Sequence, residues 1–385
     1  MKFDRSSSTP MITHCIVLLS AVLSSKGDTL HPDEAGNIGT PVLLTDPAFF
    51  LKAGESYFDP AGKRVIFQAI EHPVEGEEPD DNYGMYLGDL TFDKTGTISG
   101  LTNIKRISNE GSANTCGWFH PTDESLVMFA TTTTPLVEED IPGYQRESGR
   151  YRWAFPPKMN IISCDLSNNN AATELVTDQD HYLAEGSWSP DGRHILYCSL
   201  KSGIGDIYVT DLKTETTRLI VGDEGYDGGP FFSPDGKRIV YRSDRRGNDL
   251  LQLYVADLVF DEDGSIKGIS REYQLTDNVH VNWGPFWHPN GRFLIYATSE
   301  VGHRNYELFI CDADSGEHDG TTRYGTRRRR VTHADGFDGL PVFNTEGDVL
   351  MWTSKRNTGT SQLWTAPFTF ELDAGPQMPS NPQGH

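Results

Sequence analysis

Residues 186–199 read GSWSPDGRHILYCS, and 44 residues further on the chain repeats itself as PFFSPDGKRIVYRS at 230–243. A third copy, PFWHPNGRFLIYAT, occupies 285–298. In this unit Pro fixes one dihedral, Asp bonds the local backbone and Gly supplies a positive φ, which together specify a tight turn between two strands. The segment after the turn alternates, with Ile195 and Tyr197 in one copy and Ile239 and Tyr241 in the next. That is the period of a pleated strand with two distinct faces. Looser copies run SYFDPAGKRVIFQA from Ser56, GWFHPTDESLVMFA from Gly117 and PVFNTEGDVLMWTS from Pro341. The anchors are Pro60, Pro121, Pro190, Pro234, Pro289 and, in the sixth copy, Thr345, separated by 61, 69, 44, 55 and 56 residues.

Each unit carries a third strand, as in Ile207-Tyr208-Val209 before Asp211, Leu253-Tyr254-Val255 before Asp257 and Leu308-Phe309-Ile310 before Asp312. A fourth follows, as in Arg218-Leu219, Gln274-Leu275-Thr276 or Arg330-Val331-Thr332. Four strands per blade-sized interval, six times over, predict an all-β, six-bladed β-propeller of antiparallel four-stranded blades. The sixth unit stops after Leu363 and Trp364, while Val42-Leu43-Leu44-Thr45-Asp46 has the pattern of its missing strand. The early segment is therefore expected to complete the last blade and leave no sheet edge open.

The 385 residues, with 38 Gly, 22 Pro and 11% aromatics, suit one large domain of short strands. Lys2 and Arg5, an apolar run at 11–23 and small residues Ser24 and Ser25 outline a signal peptide at 1–25. Residues 26–39 then read as a linker, 40–370 as the propeller and 371–385 as a disordered, Pro-rich tail. No stretch is long and apolar enough for a transmembrane helix, so the expected location is exported, periplasmic or extracellular. The formal charge of −22 repels phosphate and argues against nucleic acid as a partner. Of the five cysteines, Cys116, Cys164, Cys198 and Cys311 lie beyond the signal segment. Cys164 and Cys311 hold the same place in different units, so buried free thiols are expected, and no C-x-x-C spacing suggests zinc.

The S-P-D-G-[KR] turns resemble the WD40-like PD40 repeats of the TolB-like propellers, over roughly residues 40–370. The resemblance implies the propeller and a binding role. It does not imply the Tol-system role, since only about 15 residues separate the signal segment from the first strand, too few for the extra domain of TolB itself. The same fold also serves peptidases and related oligogalacturonate lyases. No G-x-S-x-G elbow is present, and the chain ends too soon for a hydrolase domain after the propeller.

Equivalent positions of all blades converge at a propeller's central channel. Two residues before each anchor stand Phe58, Phe119, Trp188, Phe232, Trp287 and Phe343, a row expected between sheets. On the opposite face, at five or seven residues before the anchor, stand Glu55, Asn114, Glu185, Asp227, Asn282 and Asp338. This row is expected to line the channel mouth, where four carboxylates and two amides would hold a cation such as Ca²⁺ or a Lys or Arg of a partner. The same residue types also order loops by bonding backbone N–H groups, and both readings stand. His120 and His288 replace turn serines and are expected to make turn hydrogen bonds. His181, His280 and His333 precede inner strands and carry the alternative of a metal-dependent polysaccharide lyase or hydrolase. The insertion at 131–158 mixes Tyr144, Tyr151, Trp153 and Phe155 with Arg146, Arg150 and Arg152, suited to a partner surface or to folding back on its blade. Arg327–Arg330 are expected to protect an outer sheet edge. Together these features predict an exported, monomeric, non-catalytic propeller without a resident cofactor, binding a protein, peptide or glycan at its channel mouth.

Overall fold

The structure, a computed structural model, describes residues 30–80, 82–136, 155–313, 325 and 327–370. Among them stand six four-stranded antiparallel sheets and one short 3-10 turn, Pro32–Glu34. The inner strands are Phe50–Phe58, Ser112–Phe119, Leu183–Trp188, Asp227–Phe232, Asn282–Trp287 and Asp338–Phe343, one for each of blades 1 to 6. Each touches the inner strands of both neighbouring blades, the sixth touching the first, so the ring is complete.

The repeated turn works as its residues dictate. In blade 3, Ser189 Oγ donates to Asp191 at 2.5 Å, the His194 N–H donates to Ser189 Oγ and Gly192 takes φ 72°. Blade 4 repeats this with Ser233, Asp235 and Gly236 at φ 67°. The second strands differ from a simple two-faced pattern: His194–Ser199 and Phe293–Thr298 are buried at every position. Each blade is sandwiched between two others, so both faces of its middle strands are core. Exposure returns at the ends of some middle strands and most fully in outer strands such as Ala171–Val176.

Aromatic side chains and cations join the blades. Phe119, Trp188, Phe232, Trp287 and Phe343 are buried as expected, with Arg64 of blade 1 over Phe119 at 5.0 Å and Arg238 of blade 4 over Trp287 at 4.8 Å. His288 Nδ1 accepts from the Asn290 N–H, while Nε2 donates to the Gly347 carbonyl of the next blade at 3.0 Å. His120 likewise accepts from the N–H groups of Thr122 and Asp123. The four described cysteines, Cys116, Cys164, Cys198 and Cys311, are free and buried. In blade 5, Arg328 pairs with Glu300 and Arg330 with Glu307, so these edge charges are neutralised within their own blade.

Closure follows the predicted route. Val42–Leu43 pairs antiparallel with Gln362–Pro367, Val42 facing Thr365 and Leu43 facing Trp364. Thr45 Oγ1 donates to Gln362 and accepts from the Leu363 N–H. The stretch at 30–39, expected as a linker, is instead packed. Ile38 bridges Phe368, Asn37 donates to the carbonyls of Arg330 and Val331, and Glu34 is fully buried. There the Arg356 guanidinium holds Glu34 at 3.0 Å and Asp338 at 2.9 Å. The segment adds a polar latch to the strand, because two pairs of ladder residues bury too little to close a ring alone. The expected signal segment and C-terminal tail lie outside the described residues.

Candidate functional site

Every inner strand breaks register three to six residues before its anchor, and those of blades 1 and 2 break a second time near their start. At the break the residue five before the anchor is left-handed: Glu55 (φ 41°), Cys116 (54°), Glu185 (59°), Gly229 (58°), Gly284 (56°) and Leu340 (52°). Four of the six are not glycine, at a cost of about 1–2 kcal/mol each, and strain of this kind collects where function needs a fixed geometry. A bulge also reverses the facing of what lies beyond it. Positions five and seven before the anchor therefore do not share a face, and the expected ring of six divides.

Glu55, Asn114 and Glu185 border an axial chamber of about 560 Å³; Asp227, Asn282 and Asp338 do not. Asn114 uses its amide on the carbonyls of Tyr83 and Ser112. Asn282 donates to backbone oxygens around Leu251 and His280. Asp227 accepts from the Asp223 N–H and faces Arg245 at 3.6 Å, and burial pushes its carboxyl up to about 6. Asp338 accepts from Trp352 Nε1 and Arg356. These residues order the chain entering their strands, the second of the two readings open from sequence.

The chamber's base is aromatic. Three residues before the anchor stand Tyr57, Trp118, Phe231 and Phe286, from blades 1, 2, 4 and 5, of which Tyr57, Phe231 and Phe286 line the chamber itself. Blades 1 and 4 lie opposite one another, as do 2 and 5, yet these rings touch, so they meet on the axis. Tyr57 stacks on Trp118 at 4.3 Å, Trp118 lies 5.6 Å from Phe231 and Phe231 lies 5.7 Å from Phe286. The row was legible by the count that found its neighbours two before the anchor.

Arg242, the one cation among the described chamber residues, reaches Glu185 of the preceding blade at 2.8 Å. Tyr226 OH donates to the same carboxylate at 2.6 Å and the Gly229 N–H at 2.5 Å. An alanine Cβ at Gly229 would stand 2.4 Å from the guanidinium. Glu55 accepts from Thr115 Oγ1 at 3.1 Å and Tyr57 OH at 3.4 Å; burial, with a contribution from Glu185, raises its pKa against the opposing pull of the Cys116 and Thr115 hydrogen bonds and of Arg242. Burial and the two carboxylates hold Cys116 as a thiol, unsuited to nucleophilic work.

No histidine borders the chamber among the described residues. His181 sits on Asp178 at 3.0 Å, and His333 stacks on His31 at 5.8 Å. No three His, Cys, Asp or Glu side chains gather into a metal-holding group among the described residues. Of the predicted partner surface, Tyr144, Tyr151 and Trp153 lie outside the described residues. Phe155 is 3% exposed, edge-on to Tyr182 at 5.0 Å. It is a chamber wall rather than an outer contact, because the insertion turns its apolar end inward.

A family model described as "TolB beta propeller domain" matches residues 158–319. The uncharacterized protein Atu1656 of Agrobacterium fabrum is 31% identical over 114 residues, 30% of this chain and 35% of that one; the match thus spans about a third of that relative. Among solved structures, one described as TolB from Agrobacterium tumefaciens aligns with TM-score 0.51 at 16% identity, over 82% of this chain and 90% of that one. TolB from Acinetobacter baumannii aligns with TM-score 0.53 at 18% identity, over 80% and 64%. At such identities the structures speak for the fold alone. With PD40-like turns, six closed blades and a family match over the central repeats, this chain is similar to the TolB-like β-propellers in fold and in its repeated turn.

Proposed function

We propose that this protein is an exported, monomeric, non-catalytic binding or scaffold protein that receives a protein, peptide or glycan ligand at the mouth of its axial chamber. The observation that carries the reading is a cavity of about 560 Å³ bordered by all six blades, within the roughly 300–1,000 Å³ usual for ligand sites. Strained backbone holds acidic side chains in its wall. Export is supported by the basic and apolar outline of residues 1–25. Among the described residues, no helix is long and apolar enough to cross a membrane. A lyase or hydrolase at the same mouth would need histidine and carboxylate donors gathered there, and no observation favours it.

The test fills the chamber from the sixth blade. In Leu340→Trp, cross-linked capture of envelope or secreted partners is expected to disappear while the thermal midpoint stays within a few degrees of the parent. Capture that persists unchanged in this folded variant refutes the chamber as the site and moves binding to the outer surface.

A further inference from the structure

The chemical class of the entering group can be read from the chamber's two carboxylates, and this step rests on the binding reading above. Both stand at the same left-handed position of their strands, yet their surroundings differ. Glu185 is saturated: the Arg242 guanidinium, Tyr226 OH and the Gly229 N–H occupy it. Arg242 pairs across its own blade with Gly228. The residue in that register in the blade after Glu55 is Ala130, opposite Thr115. Glu55 thus lacks the arginine that the fold supplies to Glu185, and no described cation lies within ion-pair distance of it.

A second, independent observation lies beside it. Gln68, opposite Gly54 and so adjacent to Glu55, borders the chamber. It is 9% exposed, and its Oε1 has no hydrogen-bond partner. A buried acceptor left unmade costs about 1–3 kcal/mol, which a donor arriving with the ligand would recover. Next to these acceptors the ring of Tyr57, itself stacked on Trp118, borders the chamber, and aromatic faces attract cations. The Arg242–Glu185 pair, with Arg242 5.7 Å over the Tyr226 ring, shows the same combination of carboxylate, aromatic face and guanidinium already realised once in this chamber.

The geometry points to a guanidinium group, the arginine side chain of a peptide or protein partner, as the ligand group that ion-pairs with Glu55, donates to Gln68 and lies against the Tyr57 ring. A planar fork of five donors serves two adjacent acceptors and a ring better than the point charge of lysine does.

The experiment uses three blocked pentapeptides, identical except for arginine, citrulline or glutamate at the centre. Binding to the full chain is followed by tryptophan fluorescence and calorimetry. Arginine is expected to bind at least tenfold more tightly than its uncharged isostere citrulline, and glutamate most weakly. Glu55→Gln should reduce arginine to the citrulline level, and Gln68→Leu should weaken it severalfold. Equal binding of arginine and citrulline by the parent protein overturns the proposal without any variant, as does unaltered arginine binding by folded Glu55→Gln. Should citrulline or glutamate peptides bind preferentially, and lose binding in Leu340→Trp, the chamber remains the site and only the cationic class is wrong. Binding of none of the three overturns the arginine assignment, and partner capture that survives Leu340→Trp then overturns the chamber as well.

Discussion

Replacement of Arg356 by methionine tests how the ring is held shut. Its guanidinium lies between Glu34 of the early segment and Asp338 at the head of the sixth inner strand, at 3.0 and 2.9 Å, and all three side chains are at most 1% exposed. It also lies 4.8 Å over the Trp352 ring. Methionine keeps the stem and removes the charge, leaving two buried carboxyl groups without a counter-ion. Loss of one member of a buried ion pair costs about 3–5 kcal/mol. An independent estimate agrees: keeping one carboxyl protonated at pH 7, about three units above its ordinary value, costs about 4 kcal/mol. The sign of the pH effect follows from Asp338. Burial raises its pKa and Arg356 is the largest opposing influence, so the variant's folded state holds that proton more tightly still. A folded-state pKa above the unfolded one means stability that is present at low pH and lost as pH rises through the window between them. The deficit against the parent should therefore be about 3–5 kcal/mol at pH 7.5 and smaller by about 1–3 kcal/mol at pH 5.5, measured by urea denaturation with fluorescence and circular dichroism. A deficit below about 1 kcal/mol at both pH values, or one that grows in acid, refutes the latch.

Other outcomes follow from the same contacts. Thr45→Val removes the reciprocal bonds with Gln362 and Leu363, leaves buried polar groups unpaired and should cost about 1–3 kcal/mol in urea denaturation. Gly291→Ala and Gly347→Ala impose the same left-handed strain of about 1 kcal/mol. The first has nothing within 4 Å, whereas the second brings a Cβ to 2.5 Å from His288 Nε2, so its midpoint should fall distinctly further. Equal losses would deny the inter-blade histidine contact. For Asp227, a folded pKa of about 6 against the ordinary carboxyl value of 3.8 means that stability declines as pH rises from about 4 to 6, by at most about 3 kcal/mol. Asp227→Asn should flatten that decline and hold or raise the midpoint at pH 7; a loss above about 2 kcal/mol there would contradict it.

Much of the fold was legible because its determinants are local. Pro190-Asp191-Gly192 and its copies specify a turn whatever surrounds them, and the spacing of the copies counts the blades. Ring closure was legible too, from a strand missing after Trp364 and a matching one at Val42. The site was legible only in part. Of the six residues expected at the channel mouth, Glu55, Asn114 and Glu185 border the chamber, whereas Asp227, Asn282 and Asp338 do not. Arg242 and Gln68 were missed, although a count along the second strands would have singled out Arg242 as the lone charge in its row.

From its sequence alone this protein is a closed wheel of six four-stranded blades, since turn chemistry and a two-residue period act within a few residues of chain. Which side chains meet at its hub was decided only in three dimensions. A left-handed bulge changes the facing of each inner strand, and a guanidinium from one blade neutralises the carboxylate of another. Both depend on register and on neighbours distant in the chain, which no local pattern encodes.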